Sequence, residues 1–296
     1  MPHVDVHGVR VYYEITGSGP GTPAALIMGL GGDAHAWERV VPKLAESRRV
    51  LVLDNRGMGR SDKPAGPYST SGLAADFAHV LDAAGIDVAH VAGISLGGMI
   101  AQEFALAHPA RVRSLSLIAT YAKASAETKE LAESGAERMV TGERGGRDFG
   151  AMLAAVNDGS ATLDLFKAFA FMMPLVFSPA FLMREAAYLQ TFFQRSLGYG
   201  ISGEGFAGQV AAVFAHDTVD RLGSLHVPTL VLTGTADRLI APPHSRFLAD
   251  RIPGARFDEI EGGTHGLNME FPDHLAEKLA AFFAEHDAAP AAGLSL

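Results

Sequence analysis

Apolar and polar positions along the chain predict buried strands that alternate with amphipathic helices. Short apolar runs typical of buried strands occur at residues 50–53, 88–94, 115–119, 230–233 and 257–260. Apolar residues three or four positions apart, typical of helices, occur at residues 34–44, 73–84, 98–107, 244–251 and 274–284. Strands and helices in alternation form parallel sheets with helices on both faces. The pattern therefore predicts an α/β fold with a doubly wound, mostly parallel sheet.

The N-terminal region shows a different pattern. Residues 10–15 alternate apolar and polar side chains, as in a half-buried strand, and residues 16–23 are rich in glycine and proline. Residues 24–28 then form a short apolar run. We expect a β-hairpin that leads into a buried strand of the main sheet.

The alternation stops over residues 123–205, where helix-forming residues predominate. Aromatic and methionine side chains crowd into the second half of this stretch: Phe166, Phe169, Phe171, Met172, Met173, Phe177, Phe181, Met183, Phe192 and Phe193. We expect a helical cap, inserted into a core of residues 1–122 and 206–296, with residues 287–296 as a flexible tail. Most of these side chains would form the cap's own small core, and a few would face a pocket.

Composition narrows the possible classes of function. The chain has 296 residues, 48% of them hydrophobic, which is enough for a large core, and its formal net charge is −9. Without a run of lysine or arginine, it lacks the basic surface that nucleic acids require. The absence of cysteine excludes disulfides, thiolate nucleophiles and thiolate metal sites. No segment resembles a signal peptide or a membrane span, so we expect a cytoplasmic protein without a membrane partner.

A nucleophile motif follows the predicted strand at residues 88–94. The segment Gly93-Ile94-Ser95-Leu96-Gly97 fits the G-x-S-x-G pattern, and helical periodicity begins directly after it. In such a turn, glycines on both sides leave room for neighbouring backbone, and the serine hydroxyl lies at the C-terminal edge of the sheet. An ordinary turn with a capping serine is the alternative, but the flanking elements favour a nucleophile. Ser95 is therefore the predicted nucleophile.

A serine hydroxyl needs a base within hydrogen-bonding reach, and that base needs an orienting acceptor. Asp237 lies just beyond the predicted strand at residues 230–233, and His265 lies in the glycine-flanked loop after the last predicted strand. A helix cap and an ordinary loop hydrogen bond are the alternatives for these two residues. The order Ser95, Asp237, His265 is that of a nucleophile-elbow hydrolase, which predicts a catalytic triad.

An oxyanion hole would complete this chemistry. The amide of Leu96 lies at the start of the helix that follows Ser95, where the helix dipole favours negative charge. A second donor is expected from the loop Met28-Gly29-Leu30-Gly31-Gly32, after the first central strand. We therefore assign the oxyanion donors to the backbone N–H groups of Leu30 and Leu96.

On these motifs, the chain resembles the α/β-hydrolase fold superfamily over nearly its whole length. Within it, the chain is similar to cap-bearing serine esterases, enol-lactonases and cofactor-free haloperoxidases. The segment from Asp54 to Ser61 resembles the D-x-R-G-x-G-x-S loop of that group, in which Arg56 would join loops through ionic hydrogen bonds. Many relatives carry a His-Gly pair where this chain has Met28-Gly29.

The resemblance and the triad imply hydrolysis of a carboxylic ester or lactone through an acyl-enzyme. An apolar cap favours substrates with a small to medium apolar group. A perhydrolase or C–C bond hydrolase could use the same triad, and a slow-turnover ligand receptor could retain the same fold. No zinc-site spacing, phosphate loop or dinucleotide loop occurs, so we expect neither cofactor nor metal.

Overall fold

One mixed β-sheet organises the computed structural model, which describes residues 2–124, 172–200 and 202–287. The sheet has eight strands in the order β1-β2-β4-β3-β5-β6-β7-β8. The strands are β1 (His3–Val6), β2 (Val9–Thr16), β3 (Gly21–Ile27), β4 (Arg48–Leu53), β5 (Ala89–Ile94), β6 (Val112–Ile118), β7 (Thr229–Gly234) and β8 (Arg256–Ile260). From β4 to β8 all neighbours are parallel, which confirms the predicted mostly parallel sheet.

Helices cover both faces of this sheet. They are α1 (Val41–Ala45), α2 (Thr70–Ala83), α3 (Leu96–Ala107), α4 (Pro179–Arg184), α5 (Ala186–Gly198), α6 (Gly203–Ala215), α7 (Pro242–Arg251), α8 (Leu267–Glu270) and α9 (Pro272–Asp287). Helices α2, α3 and α7 pack on one face, and α1 and α9 pack on the other. Alternate residues of a strand serve different faces, so that Ile27 joins the first core and Leu26 the second. The sheet is doubly wound, as predicted.

An N-terminal hairpin is present, but it is not the hairpin that the pattern predicted. Strand β1, which the pattern did not predict, pairs with β2 across a tight turn at His7 and Gly8, both with positive φ. Strand β2 also pairs antiparallel with β4 and not with β3. The glycine- and proline-rich residues 16–23 therefore connect strands that are not neighbours. Strand β3 lies between β4 and β5, where both of its faces are buried.

The predicted helix over residues 34–44 is divided in the structure. A 3₁₀ turn at Ala34–Trp37 is capped by the Asp33 side chain, which accepts a hydrogen bond from the His35 amide. Helix α1 begins only at Val41, with Pro42 in its first turn. Proline has no N–H to continue the preceding turn but fits the start of a new helix, which explains the division.

The predicted cap lies partly outside the described residues, which include neither 125–171 nor 201. In the part that the structure describes, Phe177, Phe181 and Phe192 are buried together against Met269. Lys123 and Asp217 form an isolated antiparallel bridge where the chain leaves and rejoins the sheet region. Helix α6 crosses the expected boundary at residue 206. The division into core and cap stays a prediction.

Of the expected tail, only the first residue is described. Asp287 is the last residue of α9, and its carboxylate accepts hydrogen bonds from the Thr22 amide and the Arg48 guanidinium. Residues 288–296 lie outside the described range. In the described ranges, no helix has the length and apolar character to cross a bilayer.

Buried His90 makes folding sensitive to pH. Its Nδ1 is 2.8 Å from Ser114 Oγ and its Nε2 is 3.1 Å from Asp287 Oδ1. Burial lowers the pKa of His90 to about 4, and Arg48 adds to the effect, although Asp287 opposes it. The unfolded chain has a histidine pKa of 6.5, so the unfolded state binds more protons below that pH. The contribution of His90 is complete above pH 6.5 and decreases as the pH falls towards 4.

We therefore expect the free energy of unfolding to fall between pH 6.5 and 4. A shift of this size corresponds to about 3 kcal/mol. In the variant His90→Gln, which does not titrate, the decrease should be smaller by a similar amount. Urea unfolding at several pH values measures this, with His79→Gln at half-buried His79 on α2 as the control. An equally steep decrease in His90→Gln would exclude His90 as the cause.

Candidate active site

Ser95 lies at a sharp turn between β5 and α3. Its backbone angles, φ 57° and ψ −122°, are strained for a residue with a side chain. A Cβ on Gly93 would overlap the Gly97 carbonyl, and a Cβ on Gly97 would overlap the Ile27 carbonyl. Both glycines are needed because backbone approaches backbone at these points. The structure therefore places Ser95 in the strand-to-helix turn that the motif predicts.

Hydrogen bonds from the neighbouring strand hold this turn. The Ser95 amide donates to the Ile118 carbonyl over 2.9 Å, and Thr120 Oγ1 donates to the Ser95 carbonyl over 2.8 Å. The end of β6 is itself tied to β7, because the Ala119 amide donates to Leu232 O over 2.8 Å. The backbone of Ser95 is thus fixed by the sheet edge, which helps to offset its conformational strain.

Asp237 and His265 form a buried pair. The Asp237 carboxylate follows β7 and is fully shielded from solvent, and its Oδ2 lies 2.9 Å from His265 Nδ1. Its other oxygen, Oδ1, accepts from the Leu239 amide over 2.9 Å and the Ile240 amide over 2.8 Å. A proton on Nδ1 that is shared with this carboxylate leaves Nε2 as an acceptor. The pair has the arrangement of an oriented general base.

The histidine loop and the serine turn meet at a common segment. Helix α8 directly follows His265, and Asn268 on this helix donates to the Ala36 carbonyl over 2.7 Å and approaches Met28 Sδ at 3.8 Å. The adjacent Gly29 faces Ser95, since a Cβ there would lie 3.6 Å from Ser95 Oγ. Met28 and Gly29 therefore lie between helix α8, which follows the predicted base, and the turn that carries the predicted nucleophile.

The structure does not join Ser95 to His265 directly. Across residues 2–124, 172–200 and 202–287, the Ser95 hydroxyl forms no hydrogen bond with His265 or with another side chain. Catalytic hydrogen bonds are often long in unliganded enzymes and shorten when substrate binds. The pairing of Asp237 with His265 is thus observed, and the contact between Ser95 and His265 stays a prediction.

The expected oxyanion donors lie on either side of Ser95. Leu96 is the first residue of α3, and Leu30 lies in a turn closed by a 3.2 Å hydrogen bond from the Gly32 amide to the Gly29 carbonyl. Neither the Leu30 amide nor the Leu96 amide donates a hydrogen bond to the described part of the chain. The first amides of a helix have no acceptor within the helix, which explains why the Leu96 amide donates no hydrogen bond to the described residues.

A buried glutamine supports the Leu30 turn. Gln209 on α6 accepts from the Gly31 amide over 3.1 Å and donates to the Arg56 carbonyl over 2.9 Å. Asn55 adds a second support, because its side chain donates to the Met28 carbonyl over 2.8 Å. Neither Gln209 nor Asn55 was predicted from the sequence to support this turn. The signal for Gln209 was a lone amide within the apolar stretch from Phe206 to Phe214.

The segment from Asp54 to Ser61 has a structural role. Arg56 pairs with Asp76 of α2 through two hydrogen bonds of 2.8 and 2.6 Å, and this pairing raises the pKa of Arg56. Asp54 is fully buried and accepts from the Ala34 amide and from Arg60, each over 2.7 Å. The expected ionic hydrogen bonds of Arg56 are present, and they join this loop to helix α2.

Comparison with known proteins places this fold and turn in a family. A family model for the alpha/beta hydrolase fold matches residues 26–272. The chain belongs to the α/β hydrolase family. An α/β hydrolase relative from Azorhizobium caulinodans, which bears the name "Putative carbamate hydrolase RutD", is 32% identical over 288 residues. The match covers 97% of this chain and 100% of that protein.

Two solved structures are similar to this α/β hydrolase. A hydrolase from Pseudomonas aeruginosa PA01 is 30% identical with a TM-score of 0.80, and the match covers 95% of this chain and 97% of that one. The enol-lactonase from Burkholderia xenovorans LB400 is 27% identical with a TM-score of 0.80, and the match covers 96% and 100% of the two chains. These relatives support a hydrolase of the α/β hydrolase family.

Proposed function

We propose that this α/β hydrolase cleaves a carboxylic ester or lactone with Ser95 as nucleophile, His265 as general base and Asp237 as the orienting acid. The observation that carries the proposal is the buried hydrogen bond between Asp237 and His265 Nδ1. The histidine loop leads into helix α8, whose Asn268 approaches Met28, and the adjacent Gly29 faces Ser95. Acyl transfer is the chemistry that this arrangement of a serine, a histidine and an aspartate supports.

The proposed reaction has two halves. His265 Nε2 takes the proton from Ser95 as Oγ bonds to the carbonyl carbon, and the Leu30 and Leu96 amides bind the resulting oxyanion. The carbon–oxygen bond to the alcohol then breaks, the alcohol takes the proton from His265, and an acyl-enzyme remains. Water loses a proton to His265 and attacks the acyl carbon; the bond between that carbon and Ser95 Oγ then breaks, His265 returns the proton to Oγ, and the acid leaves. Asp237 stabilises the imidazolium in both halves.

Apolar rings on both sides of the site favour apolar substrates. The Phe177 ring packs against Gly266, next to His265, so closely that a Cβ there would overlap the ring. The Phe206 ring packs against Gly31, next to Leu30, with 3.1 Å to an added Cβ. Such surfaces exclude water and favour a small to medium apolar acyl or alcohol group.

A carbamate is the second candidate substrate class. The similarity to the Azorhizobium caulinodans protein, over the full length of that protein, favours it. The same residues would form a carbamoyl-enzyme instead of an acyl-enzyme, because the attacked carbon is again a carbonyl carbon. Carbamates are less electrophilic than esters, since nitrogen donates electron density to the carbonyl group, so slower hydrolysis of the enzyme intermediate is expected.

A substrate panel tests the proposal. We would compare kcat/KM for p-nitrophenyl acetate, butyrate and decanoate, for γ- and δ-lactones, and for p-nitrophenyl N-methylcarbamate. We expect sustained turnover of short- and medium-chain esters or of lactones. Preferred turnover of the carbamate would select the second candidate. Absence of turnover for every carbonyl substrate would contradict both and favour the slow-turnover receptor.

Gln209 provides a test of the oxyanion assignment. We expect Gln209→Leu to lower kcat for a p-nitrophenyl ester about 10-fold, with KM within about twofold. Displacement of the Leu30 amide would weaken its hydrogen bond to the oxyanion, which exists mainly in the transition state. The lost hydrogen bond to the Gly31 amide is the cause. Steady-state kinetics measure both constants. A rise in KM as large as the fall in kcat would contradict the prediction.

A matched control is available in Gln102. This glutamine is also fully buried, and it joins Tyr121 and Thr218 away from the Leu30 turn. Gln102→Leu should destabilise the fold to a similar extent, because it also removes two buried hydrogen bonds, one to the Tyr121 carbonyl and one from Thr218 Oγ1. It should leave kcat within about twofold. Equal kcat losses in both variants would attribute the Gln209 effect to general destabilisation.

A further inference from the structure

His265 is held on both sides by one short segment. The Gly266 amide, directly after His265, donates to the Val176 carbonyl over 2.8 Å. Thr264, directly before His265, donates through Oγ1 to the Glu270 carboxylate over 2.8 Å. The same carboxylate binds Ser178, two residues beyond Val176. Both peptide neighbours of the proposed base are thus connected to residues 176–178.

Glu270 is the hub of these contacts. Its Oε2 accepts from the Ser178 amide over 3.0 Å and from Thr264 Oγ1, while its Oε1 accepts from Ser178 Oγ. Ser178 is also the N-cap of α4, because its Oγ accepts from the Phe181 amide over 3.1 Å. The carboxylate therefore connects the start of α4 with the loop that carries His265. Hydrogen bonds to a carboxylate are stronger than those between neutral groups.

We propose that Glu270 is a positioning residue that fixes His265 by joining Thr264 to Ser178. The inference rests on the proposed role of His265 as general base. Asp237 orients the imidazole ring through Nδ1, but it does not fix the path of the loop. The Ala236 amide joins the start of that loop to the end of β7, because it donates to the Gly263 carbonyl over 2.8 Å. The bond from Gly266 to Val176 and the bridge through Glu270 join the residues on both sides of the histidine to residues 176–178. Displacement of a catalytic group by about 1 Å can cost about 100-fold in rate.

The test compares two substitutions of Glu270. Glu270→Met keeps the length of the side chain but removes both acceptors. Glu270→Gln keeps one oxygen that can accept from Thr264 and from the Ser178 amide, and its NH₂ can donate to Ser178 Oγ. We expect Glu270→Met to lower kcat for p-nitrophenyl butyrate by about 10- to 100-fold with little change in KM. Glu270→Gln should retain kcat within about threefold.

A second readout isolates the effect on His265. A fluorophosphonate inactivates a serine hydrolase by reacting with its activated serine, so the rate of inactivation depends on the general base, here His265. The reagent should be small enough not to contact the rings of Phe177 and Phe206. In Glu270→Met this rate should fall by the same factor as kcat. Thr264→Val should cause a smaller fall, and the double variant Thr264→Val/Glu270→Met should be no slower than Glu270→Met, because Thr264 acts through Glu270. Multiplied losses in the double variant would overturn the proposal.

A matched control removes a different carboxylate, which pairs with helix α5 and not with the start of α4. Glu38 pairs with Arg195 of α5 over 2.8 Å, and among the described residues it forms no hydrogen bond or ion pair with the histidine loop. Glu38→Met should leave kcat and the inactivation rate within about twofold. Equal losses in Glu38→Met and Glu270→Met, or no loss in Glu270→Met, would overturn the positioning role alone. Undiminished turnover in Ser95→Ala would instead overturn the proposed function, and with it this inference.

Discussion

Substitution of Ser95 by alanine should reduce kcat for ester hydrolysis by about 10⁶-fold, by analogy with other serine hydrolases. The substitution removes the atom that bonds to the acyl carbon, so no acyl-enzyme can form. The fold should be preserved, because the hydroxyl has no side-chain partner in the described residues and the backbone bonds of Ser95 remain. Initial-rate assays with p-nitrophenyl butyrate, together with thermal unfolding, measure both quantities.

Ser116 supplies the control for this prediction. It lies fully buried on neighbouring β6, and its hydroxyl has no hydrogen-bond partner in the described part of the chain. Ser116→Ala should therefore leave kcat within about twofold. Retention of more than about 1% of wild-type activity in a folded Ser95→Ala preparation would be incompatible with a serine nucleophile, given the size of the loss measured in other triads.

Substitution of Asp237 by asparagine should lower kcat by about 10⁴-fold while the protein remains folded. The Leu239 and Ile240 amides both donate to Oδ1, so the asparagine oxygen should take that position. Its NH₂ then faces His265 Nδ1, which must accept a hydrogen bond instead of donating one. The ring proton moves to Nε2, and the histidine can no longer accept the serine proton. Steady-state kinetics and circular dichroism measure the two effects.

The combination with a His265 variant is informative because triad residues act as a unit. The kcat of His265→Ala should be equal to or lower than that of Asp237→Asn. The kcat of the double variant should be no lower than that of His265→Ala. A loss in the double variant equal to the product of the single losses would show that Asp237 acts independently of the imidazole. A loss below about 10-fold in Asp237→Asn would contradict its orienting role.

Hydrophobic patterning predicted the central sheet well but not its edge. Strands β4, β5, β6 and β7 are largely buried on both faces, so they appear in the sequence as mostly apolar segments. Strand β8, at the other edge of the sheet, is mostly exposed or half-buried. Strand β1 is short and mostly exposed, and the pairing of β2 with β4 depends on contacts between residues far apart in the chain. Local patterns carry little information about such pairing. The predicted helix over residues 34–44 is divided because of Pro42. The spacing of apolar residues, on which the prediction relied, takes no account of proline.

The site was predictable where chemistry requires a local motif. Glycines around Ser95, and the strand ends before Asp237 and His265, are visible in the sequence because each depends on a few neighbouring residues. Gln209 and Glu270 were not predicted. Their partners are the backbone and hydroxyl groups of loops whose paths depend on the packing of α4, α6 and α8. Such supports become visible only when the tertiary structure is known.

Identification of the residue that bonds to a phosphorylating inhibitor shows whether Ser95 is the nucleophile. The protein would be treated with one equivalent of diethyl p-nitrophenyl phosphate, which transfers a diethylphosphoryl group to an activated serine, and then analysed by peptide mass spectrometry. We expect a single diethylphosphoryl group on Ser95, with loss of ester hydrolysis in proportion to labelling. Complete inactivation with the group on another residue, or continued hydrolysis after full labelling of Ser95, would contradict it.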